Sequence, residues 1–229
     1  MTEAPLIRAD LHNHSYYSPD SVASPEELLR RAKARGIDVL AVTDHDTTRG
    51  GLVAQELAAK RFPEVRVIVG EEVRTRDGEI LGLFLSEEVP PGLSAEETLA
   101  RIKAQGGVAG APHPYDTFRS GLEPDVLERI APELDFIEGL NARMVFSSAN
   151  DRAVEFAKAR GIPTSAASDA HSPREVGRAY AEIPDFATAA EFVESLRQGR
   201  LGGRLSSPLI HLMSRYAKMR RMLGWRPPA

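Results

Sequence analysis

The sequence predicts an α/β fold, with a barrel favoured over an open sheet. Short apolar stretches of four to six residues alternate with amphipathic stretches of ten or so, the rhythm of βαβ units around a parallel sheet. The alternation repeats about six or seven times, enough strands to close a sheet on itself. Five of the six histidines stand beside carboxylates at or just after the ends of the apolar stretches. In a parallel barrel those ends share one rim, where the connecting loops build active sites.

Each element has its own local reason. Leu6–Leu11 reads as the first strand. Pro25–Arg35 reads as a helix: Ser24 can cap it, a proline at its first position has no N–H to leave unpaired, and Gly36 stands just past its end. Ile37–Val42 is a short buried strand, Leu52–Arg61 a helix and Val65–Val69 the third strand. Thr75–Leu85 reads as a hairpin turning at Asp77-Gly78, a pair that tolerates the positive φ angles such turns need. Ser94–Gln105 is a helix in which Ser94 and Glu97 can cap each other's backbone. A strand at Val108–Ala111, a helix at Pro124–Ile130, a strand at Phe136–Leu140 and a helix at Ala149–Arg160, ended by Gly161, follow in turn. Pro163–Ala166 is a strand, Ala187–Gln198 a helix, Gly202-Gly203 a break, and Leu209–Leu223 a last helix.

Composition narrows the function. A chain of 229 residues suits one domain with a small appendage, here expected as a barrel over residues 1–205 and a basic helix packed on it over 206–229. No apolar run approaches the roughly 20 residues of a membrane span, and the first residues lack the basic-then-apolar pattern of a secretory leader. The expectation is a cytoplasmic protein with no membrane partner. Cysteine is absent, so a metal would be held by nitrogen and oxygen alone. Seven basic residues and no acidic one follow from Arg200 onward, which leaves −11 on the first 199 residues. That acidic body suits cation binding and does not point to a nucleic-acid groove.

The histidines carry the chemistry. Asp10, His12 and His14 share one parity at the end of the first strand, and alternate residues on a strand face the same way. His45 follows the second strand within Thr43-Asp44-His45-Asp46, and Glu71-Glu72 follows the third. His113 stands between prolines after Val108–Ala111, and Asp169 and His171 follow Pro163–Ala166. Each has an ordinary explanation: a lone His-x-His is a weak signal, Asp44-His45-Asp46 and Asp169 can be caps, and His113 between prolines can be a turn residue. Taken together, those explanations require independent accidents at the same type of position. His211 lies in a helical stretch with no carboxylate near it and reads as structural.

Asp-Leu-His-Asn-His at 10–14, Thr-Asp-His-Asp at 43–46, Gly-Glu-Glu at 70–72, Pro-His-Pro at 112–114 and Ser-Asp-Ala-His at 168–171 occur in the order of motifs in the polymerase and histidinol phosphatase (PHP) superfamily, which this chain resembles from about residue 6 to 200. The stretch from Ser147 to His171 also resembles the PHP-associated region of stand-alone bacterial members. The resemblance implies a distorted (β/α)7 barrel with two or three divalent ions, Mn, Zn, Fe or Mg. It implies one ion on His12, His14 and Asp169, a bridging Glu72, a second ion on His113, and a third on Asp20, His45 and His171. Many relatives carry a histidine on the strand after the glutamate; here Glu79 stands in the corresponding segment and takes that place. Others carry one near Asn141, where this chain reads Glu138-Gly139-Leu140-Asn141-Ala142-Arg143, so an oxygen-bound or weakly held second ion is implied. Asp10 and Asp44 are read as the carboxylates that orient the histidine rings.

Such a site implies hydrolysis of phosphate esters. Clustered divalent ions neutralise phosphoryl charge and bring the pKa of bound water down to about 7, so hydroxide can attack phosphorus without a protein nucleophile. Arg119 and Arg143 are the candidates to clamp phosphate oxygens. A small phosphomonoester, such as a nucleotide or sugar phosphate, is the expected substrate, with nucleic acid a partner only as substrate. The alternatives are a metal-dependent amidohydrolase, for which no lysine sits at a suitable strand end, and a non-catalytic metal-binding regulatory domain. In the tail, Leu209, Leu212, Met213, Tyr216, Met219 and Leu223 have helical spacing. They are expected to face the barrel and leave Arg215, Lys218, Arg220 and Arg221 in water.

Overall fold

The structure is a computed structural model and describes residues 5–116, 119 and 121–227. Strands β1 (Ile7–Asp10), β2 (Val39–Val42) and β3 (Arg66–Arg74) run parallel, with helices α1 (Pro25–Arg35) and α2 (Arg49–Arg61) between them. β4 (Glu79–Leu83) turns back antiparallel to β3 and pairs antiparallel with β5 (Val108–Ala111) across α3 (Ala95–Ala104). Parallel pairing then resumes through α4 (Pro124–Ile130), β6 (Phe136–Asn141), α5 (Ser147–Arg160) and β7 (Thr164–Ala167). β8 (Ala179–Ile183) pairs antiparallel with β1, and after α6 (Ala189–Gln198) β9 (Arg200–Gly203) pairs antiparallel with β8. The sheet runs β7-β6-β5-β4-β3-β2-β1-β8-β9, and an isolated bridge between Asn13 and Ala170 joins the ends of β1 and β7. The result is the nearly closed, distorted α/β barrel. No helix of the described residues is long and apolar enough to cross a membrane.

Strand residues alternate between two apolar layers. Ala9, Val39, Ala41 and Ile68 join a cluster with Phe136, Phe192 and Leu196. Leu40, Val42 and Val67 face the other way, against Leu28, Leu29 and Ala54 of α1 and α2. Burial on both faces explains why these strands read as continuous apolar runs. The expected caps form. Ser24 and Glu27, and Ser94 and Glu97, close capping boxes, and Gly36 and Gly161 end α1 and α5 with positive φ. β8 and β9 lie outside the sequence reading. Gly202-Gly203, taken as a break, belongs to β9, because an edge strand needs only one row of backbone partners and little side-chain signal.

The last helix, α7 (His211–Met222), follows a short 3₁₀ turn and is oriented opposite to expectation. Leu212, Tyr216, Met219 and Leu223 are 58%, 49%, 52% and 81% exposed, and of the helix only Ala217 is buried. Part of the polar face meets the barrel, while Arg215 and Lys218 stay exposed as expected. Arg221 donates to the carbonyls of Tyr16, Tyr17 and Ser18, Lys218 lies 3.5 Å from Asp20, and Arg143 donates to Ser214 at 2.9 Å. The barrel rim beneath offers carboxylates and free carbonyls, so it seats cations and leaves the apolar stripe outside.

Candidate metal centre

All nine residues expected to hold metal meet at one rim of the barrel. The alternation of β1 continues beyond the strand, because Asn13 pairs with Ala170 and is held by the Ala41 carbonyl, so His12 and His14 emerge on the same side. His45, just past β2, is joined by a second isolated bridge to Glu72, which lies inside β3 and does not follow it as expected. Because β4 runs antiparallel, its first residue, Glu79, stands at the rim where the parallel strands end. His113 follows β5, and Asp169 and His171 follow β7. His113 and Asp169 adopt positive φ, 28° and 50°, which non-glycine residues rarely do and which aims both side chains at the rim.

Glu72 is the centre. Its Oε2 lies 3.3 Å from His12 Nε2, 3.3 Å from His14 Nε2 and 3.1 Å from His45 Nδ1, while its Oε1 lies 2.9 Å from His113 Nε2. Asp169 Oδ1 stands 3.5 Å from His14 Nε2 and 3.4 Å from His171 Nδ1. Asp20 reaches His45 at 3.5 Å and His171 at 3.4 Å, and Glu79 reaches His45 at 3.8 Å and His113 at 3.7 Å. Three groups have donor atoms mutually within 4.8 Å: His14, His45 and His171; His12, His14 and Asp169; and His45, Glu72 and Glu79. This donor set fits divalent cations. It is buried, it mixes imidazole nitrogen with carboxylate oxygen, and the close approaches at His45 Nδ1 and Asp20 Oδ1 are not hydrogen bonds of good geometry. His12 Nε2 and His14 Nε2 face each other at 3.0 Å, so without a shared proton their lone pairs repel.

Protons compensate the carboxylates in this arrangement. Burial opposes charge on His12, but Glu72, Asp169 and Glu138 outweigh it and raise its pKa well above the imidazole range. Burial likewise opposes charge on His45, but Glu72 and Asp20 bring its pKa up to about 10. Burial and the neighbouring His171 push His14 down to about 3. For Glu72, burial is outweighed by His12 and His45, and for Asp169 by Arg119 and His12; both are held well below the carboxylate range. Burial and Glu72 raise Glu79 to about 7.

Two expected partners are different. Asp10 does not orient a histidine. It accepts from Ser168 N at 2.8 Å, Ser168 Oγ at 2.6 Å and Gly177 N at 2.8 Å, tying the loop after β7 to β1. Asp44 accepts from Ser15 N, Ser15 Oγ and Ser18 Oγ at 2.7, 2.6 and 2.9 Å, and only Ser18 Oγ reaches a ring, His14 Nδ1 at 3.1 Å. The carboxylate on His12 is Glu138, at 3.2 Å from Nδ1. A register shift between Glu138 and Leu140 breaks the alternation of β6, so that Glu138 and Asn141 meet at 2.8 Å. The sequence signal was there: a carboxylate inside an apolar strand.

Arg119 borders the donors, bonded to Asp169 and Asp116. Arg143 is buried, pairs with Glu175 at 2.6 Å and reaches α7. His211, read as structural, lies 3.4 Å from Arg143 and lines the same cavity as the donors.

Two family models match the chain, the PHP domain over residues 10–115 and the PHP-associated region over 147–201. A 45% identity over 146 residues, 59% of this chain and 82% of the relative, links it to an uncharacterized protein of Methanocaldococcus jannaschii. The chain belongs to the PHP family. Membership, with the donor cluster, supports a metal-dependent hydrolase. The PHP chain is also 36% identical over 129 residues to the 5'-3' exoribonuclease of Haemophilus influenzae, covering 51% of this chain and 46% of that one. In fold it matches a two-domain protein from Bacteroides vulgatus, described as containing a predicted PHP-like metal-dependent phosphoesterase. The TM-score is 0.72 and the identity 18%, over 88% of this chain and 66% of that one.

Proposed function

We propose that this PHP protein hydrolyses a small phosphomonoester with two or three divalent ions, drawn from Mn, Zn, Fe and Mg. Residues 1–205 are the catalytic barrel in this reading, and 206–229 an appended helix. The observation that carries it is Glu72 standing between four histidines, with Arg119 at the edge of the same cluster. His12, His14 and Asp169 would hold one ion, His113, Glu72 and Glu79 another, and Asp20, His45 and His171 a third. When bound, such ions supply an activated water and neutralise phosphoryl charge. The chain's own part is positioning. Glu138 sets the His12 ring, Ser18 sets His14, and Asp116 and Asp169 hold the Arg119 guanidinium where it can meet phosphoryl oxygens.

The cavity over the donors measures about 680 Å³, which suits a small ligand better than a duplex. Cleavage at an oligonucleotide end is a second reading, favoured by the exoribonuclease relative. The amidohydrolase reading needs a lysine among the donors, and among the described residues the lysine lining this cavity is Lys218, on α7. A panel of phosphomonoesters, nucleotides and short oligonucleotides, assayed after chelation and after return of each metal, tests the proposal. Metal-restored release of phosphate from the small esters is expected. Turnover of oligonucleotides alone would transfer the function to the second reading, and silence of the metal-loaded protein would favour a regulatory domain.

A further inference from the structure

The C-terminal helix lies outside both segments matched by the family, yet it forms one wall of the cavity. Its apolar stripe faces solvent, so hydrophobic burial does not determine its orientation. Polar contacts do, and they bring His211, Ser214, Arg215 and Lys218 to the cavity that holds His45 and Glu72. Lys218 already has an acidic neighbour, Asp20 at 3.5 Å. Arg143 spends its Nη atoms on Glu175 and Ser214, and its buried Nε has no partner. The Arg215 side chain is exposed and makes no hydrogen bond or ion pair among the described residues. A free guanidinium thus lines the same cavity as the acidic donor cluster, on a helix held there by other residues.

We propose that Arg215, with Lys218 beside it, forms a second anion subsite at the cavity wall, so that the substrate carries a phosphoryl or carboxylate group in addition to the ester phosphate that is cleaved. This rests on the phosphoesterase reading of the adjoining centre. The two sites divide the work: the donor cluster and Arg119 take the reacting phosphate, and α7 takes the distal anion and sets which esters fit. Guanidinium suits this task because its fork of N–H groups matches the oxygens of either anion.

The test uses non-hydrolysable ligands, so that binding is read without turnover. Calorimetry on the Mn-loaded full chain compares butylphosphonate with the two-headed tetramethylene bisphosphonate and with a phosphonoalkanoate of the same length. Wild type is expected to bind at least one two-headed ligand about tenfold more tightly than butylphosphonate, the size of one charge-assisted hydrogen bond. The larger of the two ratios names the distal group. Arg215→Gln, which removes no internal contact and so leaves folding alone, is expected to bring the ratio close to one; Lys218→Gln is the second variant. A ratio near one in wild type, or an unchanged ratio in Arg215→Gln, overturns the subsite even if p-nitrophenyl phosphate is hydrolysed. A ratio lost on substitution in a protein that hydrolyses no phosphoester upholds the subsite and overturns the reaction assigned to its neighbour.

Discussion

Replacing Glu138 with glutamine barely changes shape, yet it should disable the centre. Glu138 is buried, and its two oxygens serve three groups. Oε2 accepts from His113 N at 2.6 Å and Asn141 Nδ2 at 2.8 Å, and Oε1 faces His12 Nδ1 at 3.2 Å. Glutamine has one acceptor oxygen. If that oxygen stays with the two N–H donors, the amide N–H points at His12 Nδ1, which must then accept. The ring proton moves to Nε2, the atom beside Glu72 and His14, and a protonated nitrogen cannot ligate a cation. If the amide flips, its N–H groups confront two donors, and each buried unpaired group costs about 1–3 kcal/mol. Asn141 cannot flip to relieve this, because its Oδ1 accepts from Arg143 N at 2.8 Å. Either way metal affinity should fall by about 10–100-fold, the usual loss when a carboxylate behind a ligating histidine is changed. Titration of Mn or Zn against a competing chelator measures it, with circular dichroism to confirm folding. A folded Glu138→Gln variant that binds metal within about threefold of wild type, less than that expected loss, would refute the reasoning.

Other outcomes follow from the same geometry. His12→Ala should lose metal binding and turnover while keeping a cooperative thermal transition, since the ring stands at the rim and the apolar layers lie elsewhere; loss of that transition in the presence of metal would mark the ion as structural. The pKa of His45 is raised to about 10 from 6.5, so its contribution to folding of the metal-free protein is complete below about 6.5 and lost as pH rises towards 10. Metal needs that ring neutral, so binding near pH 7 should release protons and tighten as pH rises over the same window; calorimetry in buffers of different ionisation enthalpy would contradict this if it found no proton release. Gly50→Ala would set a Cβ 1.9 Å from Asp44 Oδ2 and 2.3 Å from Ser15 Oγ, at buried side chains that cannot easily yield. It should cost about 1–3 kcal/mol in denaturant unfolding, and a neutral result would show that the Asp44 network can shift.

Much of this architecture was legible in the sequence, for identifiable reasons. The caps at Ser24 and Ser94 and the stops at Gly36 and Gly161 act through neighbouring backbone, so they survive folding unchanged. The donors were legible because a parallel barrel brings strand ends together whatever the loops do. What depended on tertiary detail was not. The partners of Asp10 and Asp44 were set by serines on other segments, Ser168 in one case and Ser15 and Ser18 in the other. Glu138 reached His12 because β6 shifts register, which periodicity along the chain does not report. The helix at the C-terminus had the right length and spacing but the wrong orientation, because apolar periodicity marks a face without saying what lies opposite it. The rim settled that question, because Asp20 meets Lys218 and the carbonyls of Tyr16, Tyr17 and Ser18 meet Arg221.

The central claim is that the cluster around Glu72 holds divalent ions. Elemental analysis of the purified protein, dialysed against Mn and then against metal-free buffer, tests it most directly, run beside Glu72→Ala and checked for folding. The account predicts more than one retained ion per wild-type chain and a clear loss in the variant, because Glu72 is the one carboxylate shared by His12, His14, His45 and His113. A wild-type chain that folds and retains no divalent ion, or a folded Glu72→Ala chain that retains as many as wild type, would contradict it.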